Sequence, residues 1–552
     1  MTEREKGNLK EDKGQKIGKN TFVSILDPEE KAEEDEICPA FYVDLNLTQI
    51  TDRISREWGE DISYFYRYMP ANKAWMEYRR EVYRDIIQPG CYESLCAFLE
   101  GMKAREDART KKEAVRMELQ KAFWLLREAA CYCDAFHMLL ESLDKIELHS
   151  EGMLAFTAFL REYLASERFV EMGEAVARMR EQEDHIHLVL TYENDRITVA
   201  EGEAQDSYIQ FLEEWFPNWK KKDMESPFGI QLNLTEVEIE ILKVYQKRNP
   251  VFIREVEQFY SQYKDYAREE LIRFSNEICF YLSFYCFERK MGEEGFIFVR
   301  PQVGNHKGES VLGEGQRDFG PGETDEILYA EGVYDLALAC VVGKEREIVP
   351  NDAELGKGEN FFVLTGPNQG GKTTYARSLG QLVYFAKMGL DVPAKSALMP
   401  YFSDIVTHFS VEESVETGRG KLKEELTRLA PLMDSVAAAN AERGRNVGKE
   451  GCVPAFVVIN ELFTTAANYD ACIMGKRVLE FFLGQCCMGI YVTHLKELAK
   501  AHPEIVSLRA MVDKEGGRTF EIARGEAADS ASAADQVRKY GLTYEALKER
   551  LS

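Results

Sequence analysis

The chain has 552 residues, 45% of them hydrophobic and 30% charged, with a formal net charge of −26. That length exceeds one ordinary core and predicts two to four domains of a soluble globular protein. No run approaches the ~18 apolar residues of a membrane span, and the acidic average gives nucleic-acid binding no support, because such binders present a basic face.

The opening, MTEREKGNLKEDKGQK, is charged and lacks the apolar centre of a secretory leader. The twelve cysteines include no C-x-x-C pair, and the close pairs Cys131/Cys133 and Cys486/Cys487 lack zinc-ligand spacing. They read as free thiols in a reducing compartment, and a cytoplasmic location is expected. Residues 1–36 are rich in Lys, Glu, Asp and Gly and read as a charged, disordered head.

From about residue 40 to 182 apolar residues recur three and four apart, which predicts helices broken near Pro70 and Pro89. Residues 186–200 switch to alternation on either side of Asn194-Asp195, which predicts a β-hairpin. Helical periodicity returns over 233–292. The aromatic cluster Phe280, Tyr281, Phe284 and Tyr285 sits at helical spacing and reads as core. After Gly295, glycine-rich loops and alternating short apolar runs and helical stretches predict an α/β domain. The expected layout is a head over 1–36, a mainly helical region with a small hairpin over 37–294, and an α/β domain over 295–552.

The α/β domain carries the chemistry. A short apolar strand, Phe361–Leu364, runs into Thr365-Gly366-Pro367-Asn368-Gln369-Gly370-Gly371-Lys372-Thr373-Thr374, and a helix follows. This is G-x-x-x-x-G-K-T between a strand and a helix. Glycines let successive N–H groups turn toward phosphates, and the helix N-terminus favours an anion. Lys372 is expected to reach the β- and γ-phosphates and Thr373 to ligate Mg²⁺. A second apolar strand, Phe456–Ile459, ends in Asn460 and Glu461. Glu461 fits the base that orients water, while Asn460 stands where an Asp would support the metal. A third strand ends in Thr493-His494, with His494 placed to sense the γ-phosphate or position water.

These residues resemble a family. TGPNQGGKTT is similar to the MutS motif TGPNMGGKST, Ile348–Asp352 (IVPND) resembles the segment packed near the adenine, and Gly389–Ala394 resembles G-x-x-V-P-A. The resemblance implies an ABC-ATPase-like P-loop NTPase domain binding ATP and Mg²⁺, preceded by a helical core and lever. Its nucleotide contacts would include Gly366, Pro367, Asn368, Gln369, Gly370, Gly371, Lys372, Thr373, Thr374 and Asn351. Thr373 and Asn460 would serve the metal, and Lys372, Glu461 and His494 catalysis.

The resemblance further implies a homodimer. A signature segment, Glu416–Leu422, would complete the partner's site through Gly418 and Gly420, and Asp470 would sit in the loop linking the two sites. The chain departs from the family in Asn460 for Asp, in Gly420 for Ser, and in Phe463–Ala466 for G-R-G-T. A Phe-x-Glu mismatch wedge is expected to be absent, since Phe98–Glu100 and Phe211–Glu213 lie in helical contexts.

Three functions follow as expectations. The first is a dimeric ATPase coupled to DNA, mismatched or branched, in repair or recombination. The second is an ATP-binding switch with little hydrolysis. The third is an ABC-type ATPase acting on a protein partner.

Overall fold

The computed structural model describes residues 22–28, 39–184, 188–193, 196–202, 234, 236–304, 327–409, 421–442, 453–513, 517–526, 543–544 and 548. The first half is helical, as its apolar spacing requires: α1 (Ala40–Asp44), α2 (Leu47–Trp58), α3 (Lys73–Ile86), α4 (Cys91–Ala114), α5 (Glu118–Leu143), α6 (Glu151–Leu164) and α7 (Glu167–Asp184). Strands β1 (Leu188–Glu193) and β2 (Arg196–Glu201) then pair antiparallel. Helices α8 (Glu236–Arg248), α9 (Pro250–Tyr263) and α10 (Glu269–Glu293) follow.

Contacts divide the chain into two units, residues 1–25 with 84–278 and residues 26–83 with 279–552. The division falls inside α3 and α10. In the first unit α4 and α5 pack along each other across a three-residue joint. Ser150 caps α6 by accepting from the Met153 N–H, and its own N–H and hydroxyl donate to the buried Asp85 carboxylate. Phe156 and Phe274 stack with centroids 3.4 Å apart, and Phe22 meets both rings at their edges. Residues 22–28 thus bury Phe22, Ile25 and Leu26, although they fall in the stretch read as a solvated head. Their apolar side chains are too few to stand out against the surrounding charge. Phe98, the start of one wedge-like triplet, is buried within α4; residues 211–213 lie outside the described residues.

One buried set of charges in this unit is matched internally. Arg105 Nη2 lies 3.1 Å from Glu128 Oε1, Lys112 Nζ 2.6 Å from Glu128 Oε2, and the Tyr266 hydroxyl donates to Glu128 at 3.1 Å.

The second unit contains the sheets. Its remaining elements are β3 (Gln302–Val303), β4 (Leu328–Val333), α11 (Leu336–Val342), β5 (Asn351–Leu355), β6 (Phe361–Thr365), α12 (Lys372–Met388), β7 (Ser396–Met399) and β8 (Ile405–Phe409). They continue with α13 (Lys421–Glu442), β9 (Phe456–Asn460), α14 (Asn468–Gly484), β10 (Met488–Val492), β11 (Ile505–Val512) and β12 (Arg518–Arg524). A six-stranded sheet runs β12-β11-β6-β10-β9-β8, and a four-stranded sheet runs β3-β7-β4-β5. In the larger sheet β8, β9, β10, β6 and β11 are parallel, and β12 is an antiparallel edge. β6, β8, β9 and β10 are buried throughout; β6, β9 and β10 read as apolar runs rather than alternations for that reason, while β8 buries Thr407 and His408 as well.

Helix α12 packs on this sheet and also receives the chain around α1. A side chain on Gly380 would come within 2.4 Å of Leu45, and the adjacent Gln381 amide donates to the Leu45 carbonyl and the Asp335 carboxylate. Of the aromatic cluster on α10, Phe280, Tyr281 and Phe284 are fully buried core, and Tyr285 is half-buried. Among the described residues no helix is long and apolar enough to cross a membrane, and no group of three or more His, Cys, Asp or Glu side chains could hold a metal ion.

Candidate nucleotide site at the ends of the parallel strands

Register brings three loops to one edge. Leu364 pairs with Val492 and Val492 with Asn460, so β6, β10 and β9 end side by side. The chain leaves β6 through Gly366, whose φ of 142° and close approach to Ala510 exclude a side chain. A Cβ there would lie 3.0 Å from the Ala510 Cβ; one on Gly370 would lie 3.1 Å from the Pro367 carbonyl oxygen. Gly371, at φ 83°, is the residue from which α12 starts. The loop is therefore a tight cradle opening on a helix N-terminus, where free N–H groups and the helix dipole favour an anion.

Lys372 is buried and turned back into the cradle. Its ammonium donates to the Gly366 carbonyl at 2.9 Å and the Pro367 carbonyl at 3.0 Å, with Asn368 Oδ1 at 3.5 Å. Burial pushes its pKa down, Glu461 acts against that shift, and the charge of Arg518 adds to it. Thr373, on the first turn of α12, donates its hydroxyl to Asn460 Oδ1 at 3.1 Å. These two oxygens are of the kind Mg²⁺ prefers, but both are neutral. Thr374 follows on the same turn, half-buried.

Glu461 takes a left-handed conformation, φ 55°, as does Phe463 at φ 63°. The turn is pinned by the Glu461 N–H donating to the Val492 carbonyl at 2.9 Å and the Phe463 N–H donating to Glu425 Oε2 at 3.1 Å. Strain of this sort in non-glycine residues is held only where the surroundings over-determine it. It turns the Glu461 side chain toward β10, where its Oε1 lies 2.9 Å from His494 Nε2.

Asn351 is tied to the β11–β12 hairpin. Its Nδ2 donates to the Val349 and Phe520 carbonyls and its Oδ1 accepts from the Ile522 N–H at 2.6 Å. Asp470 is exposed in the first turn of α14. Gly418 and Gly420 lie outside the described residues.

Two neighbours of the cradle were not anticipated. β11 and β12 lose register between Ala510 and Val512, and the extra residues on β12 bulge toward the loop. The bulge carries Phe520, left-handed at φ 60° and 49% exposed, to 3.5 Å from where a Gly371 Cβ would stand. Arg518, paired with Val512 at the bulge's edge, donates from Nη1 to Gln369 Oε1 at 2.6 Å. No local pattern announces either residue; only the fold brings them within reach of a loop some 150 residues earlier.

The fold and site define an α/β domain with an anion cradle at the carboxyl ends of parallel strands. Residues 362–534 match the family model of MutS domain V. A DNA mismatch repair protein MutS of Pseudothermotoga lettingae is 28% identical over 180 residues, 32% of this chain and 20% of that relative. The DNA mismatch repair protein MutS of Chlamydia muridarum is 25% identical over 217 residues, 38% of this chain and 24% of that protein. Residues 362–534 are thus similar to MutS domain V, and the likeness spans about a quarter or less of the length of these relatives.

Proposed function

We propose that this chain is an ATP-binding, ATP-hydrolysing MutS-type protein that couples nucleotide-driven closure of a homodimer to DNA. The observation that carries the reading is the meeting of three strand ends: the Gly366–Gly371 cradle, the Thr373–Asn460 contact at 3.1 Å and the Glu461–His494 contact at 2.9 Å. A phosphate chain seated in the cradle takes the loop N–H groups and draws the Lys372 ammonium from the carbonyls it now caps. The exposed ring of Phe520 offers the base a stacking surface. Thr373 and Asn460 would hold Mg²⁺, which when bound supplies positive charge to the phosphates. Glu461 accepts a proton from the attacking water, and His494 fixes the carboxylate's direction. Gly418, Gly420 and Asp470 are the residues proposed to meet the partner subunit.

Asn460 favours one variation on this reading. An amide lends the metal no charge, so turnover is slow and the protein works chiefly as a switch. DNA enters as the proposed partner through the relatives' name, and an ABC-type role on a protein partner is its competitor. Steady-state ATP turnover with wild type and Glu461→Gln tests the catalytic part: the variant is expected to bind ATP and hydrolyse little. Equal rates would remove Glu461 from its role. A salt titration of DNA binding, with and without ATP, separates the DNA reading from the protein-partner reading.

A further inference from the structure

Gln369 sits in the cradle at the position where the family motif has Met, and it is left-handed at φ 59°. A methionine could not accept the hydrogen bond that Gln369 takes from Arg518 at 2.6 Å. Among the described residues no carboxylate lies within ion-pair distance of Arg518. The guanidinium therefore stands beside the cradle, anchored through one nitrogen and with four further N–H bonds to give. At this site two cations, Lys372 and Arg518, face one carboxylate, Glu461, and the strand end that would normally add a second negative charge carries Asn460.

We propose that Arg518, held by Gln369, is a second phosphate-binding cation of this site, and that it lets the cradle hold ATP without a divalent ion. The proposal rests on the ATP-site reading above. Its logic is one of charge. A site with two carboxylates repels a polyphosphate until a metal neutralises it. This site has an amide, Asn460, in place of one carboxylate and a guanidinium, Arg518, beside the cradle, so the polyphosphate meets net positive charge from the protein alone. Arg suits the task, because its planar fork can keep one bond to Gln369 and present others to phosphate oxygens. Lys372 feels the same field, since Arg518 adds to the downward push that burial exerts on its pKa.

The test is direct binding of ATP, ADP and AMP to the full chain by calorimetry, in excess EDTA and in Mg²⁺. Wild type is expected to bind ATP in EDTA. Arg518→Ala is expected to weaken ATP and ADP binding in EDTA about tenfold or more, the scale of a lost charge-assisted hydrogen bond. AMP binding is expected to change least. Arg518→Lys is expected to retain part of the affinity, and Gln369→Met, which keeps the cation but removes its anchor, to lose less than Arg518→Ala. Thermal unfolding of each variant shows whether the fold is intact.

ATP binding that vanishes in EDTA, or an intact Arg518→Ala variant that binds ATP as wild type does, overturns the proposal while leaving the ATP site standing. A wild type that binds no ATP in either condition overturns both.

Discussion

The two units use charge in opposite ways. In the helical unit Arg105, Lys112, Glu128 and Tyr266 form a closed set. In the sheet unit Lys372 caps only neutral carbonyls, Thr373 meets an amide, and Arg518 leans on Gln369. The first arrangement is complete without a ligand. The second has cations whose present partners are weaker than a phosphate would be. Buried pairs hold a fold in register only if both members stay, whereas a binding site must keep part of its bonding capacity for its ligand. Charge at these two places therefore answers to different tests, one of stability and one of affinity.

Lys372→Ala gives the largest effect expected on the affinity side. It is expected to abolish ATP binding or weaken it at least about a hundredfold, because the cradle loses its central cation. Calorimetry checks this, and an unchanged affinity would end the assignment.

Glu128→Ala tests the other side. It leaves the buried Arg105 with only the half-exposed Glu106, 3.6 Å away, for a carboxylate, at a cost of about 3 kcal/mol. Chemical denaturation measures that loss, and a change under ~1 kcal/mol would mean that the network contributes little.

Asn460→Asp restores the carboxylate. It is expected to raise ATP turnover in Mg²⁺ by about tenfold, the return of one charge-assisted contact of ~1–3 kcal/mol. A Mg²⁺ titration of turnover decides it. Slower turnover at every concentration would mean that the amide has its own role beside Thr373.

The smallest expected effect concerns a buried cluster in the sheet unit. Glu288 accepts a hydrogen bond from the Tyr83 hydroxyl at 2.7 Å, and Arg300 pairs with Asp391 at 3.0 Å. Burial first, and then the Asp391 charge, raise the Glu288 pKa to about 7, against the opposing pull of the Tyr83 hydrogen bond and Arg300. The folded state thus keeps a proton that the unfolded chain releases near its ordinary value of 4.5. Stability from this group is full below that value and is lost as pH rises toward about 7. Glu288→Gln is expected to flatten the fall of melting temperature across that window. An unaltered pH profile would show that Glu288 does not titrate there.

Much of this layout was legible because local chemistry dictates it. The cradle declares itself because phosphate binding demands glycines at fixed spacing between a strand and a helix. The hairpin declares itself through alternation on either side of Asn194-Asp195. Asn460 and Glu461 stood out because an apolar run can end a parallel strand in only one place.

What was not legible is tertiary. α1 and α2 share the periodicity of the helices that follow, yet they belong to the sheet unit, and only features such as the room Gly380 leaves for Leu45 record it. Phe520 escaped because a bulge, rather than strand alternation, sets where it points, and Arg518 because it sits where the bulge closes.

The Lys372 ammonium, lodged against the Gly366 and Pro367 carbonyls, has a consequence for how affinity arises. These contacts act as a template that keeps the loop curled before any ligand arrives. An incoming phosphate does not capture an idle cation; it competes with two backbone oxygens for one already engaged. The gain is the difference between an anionic acceptor and neutral ones, smaller than a new ion pair would give. In exchange the loop has little shape to change on binding, so a ligand that also grips the rest of the cradle is expected to displace the lysine more readily than a small anion such as inorganic phosphate.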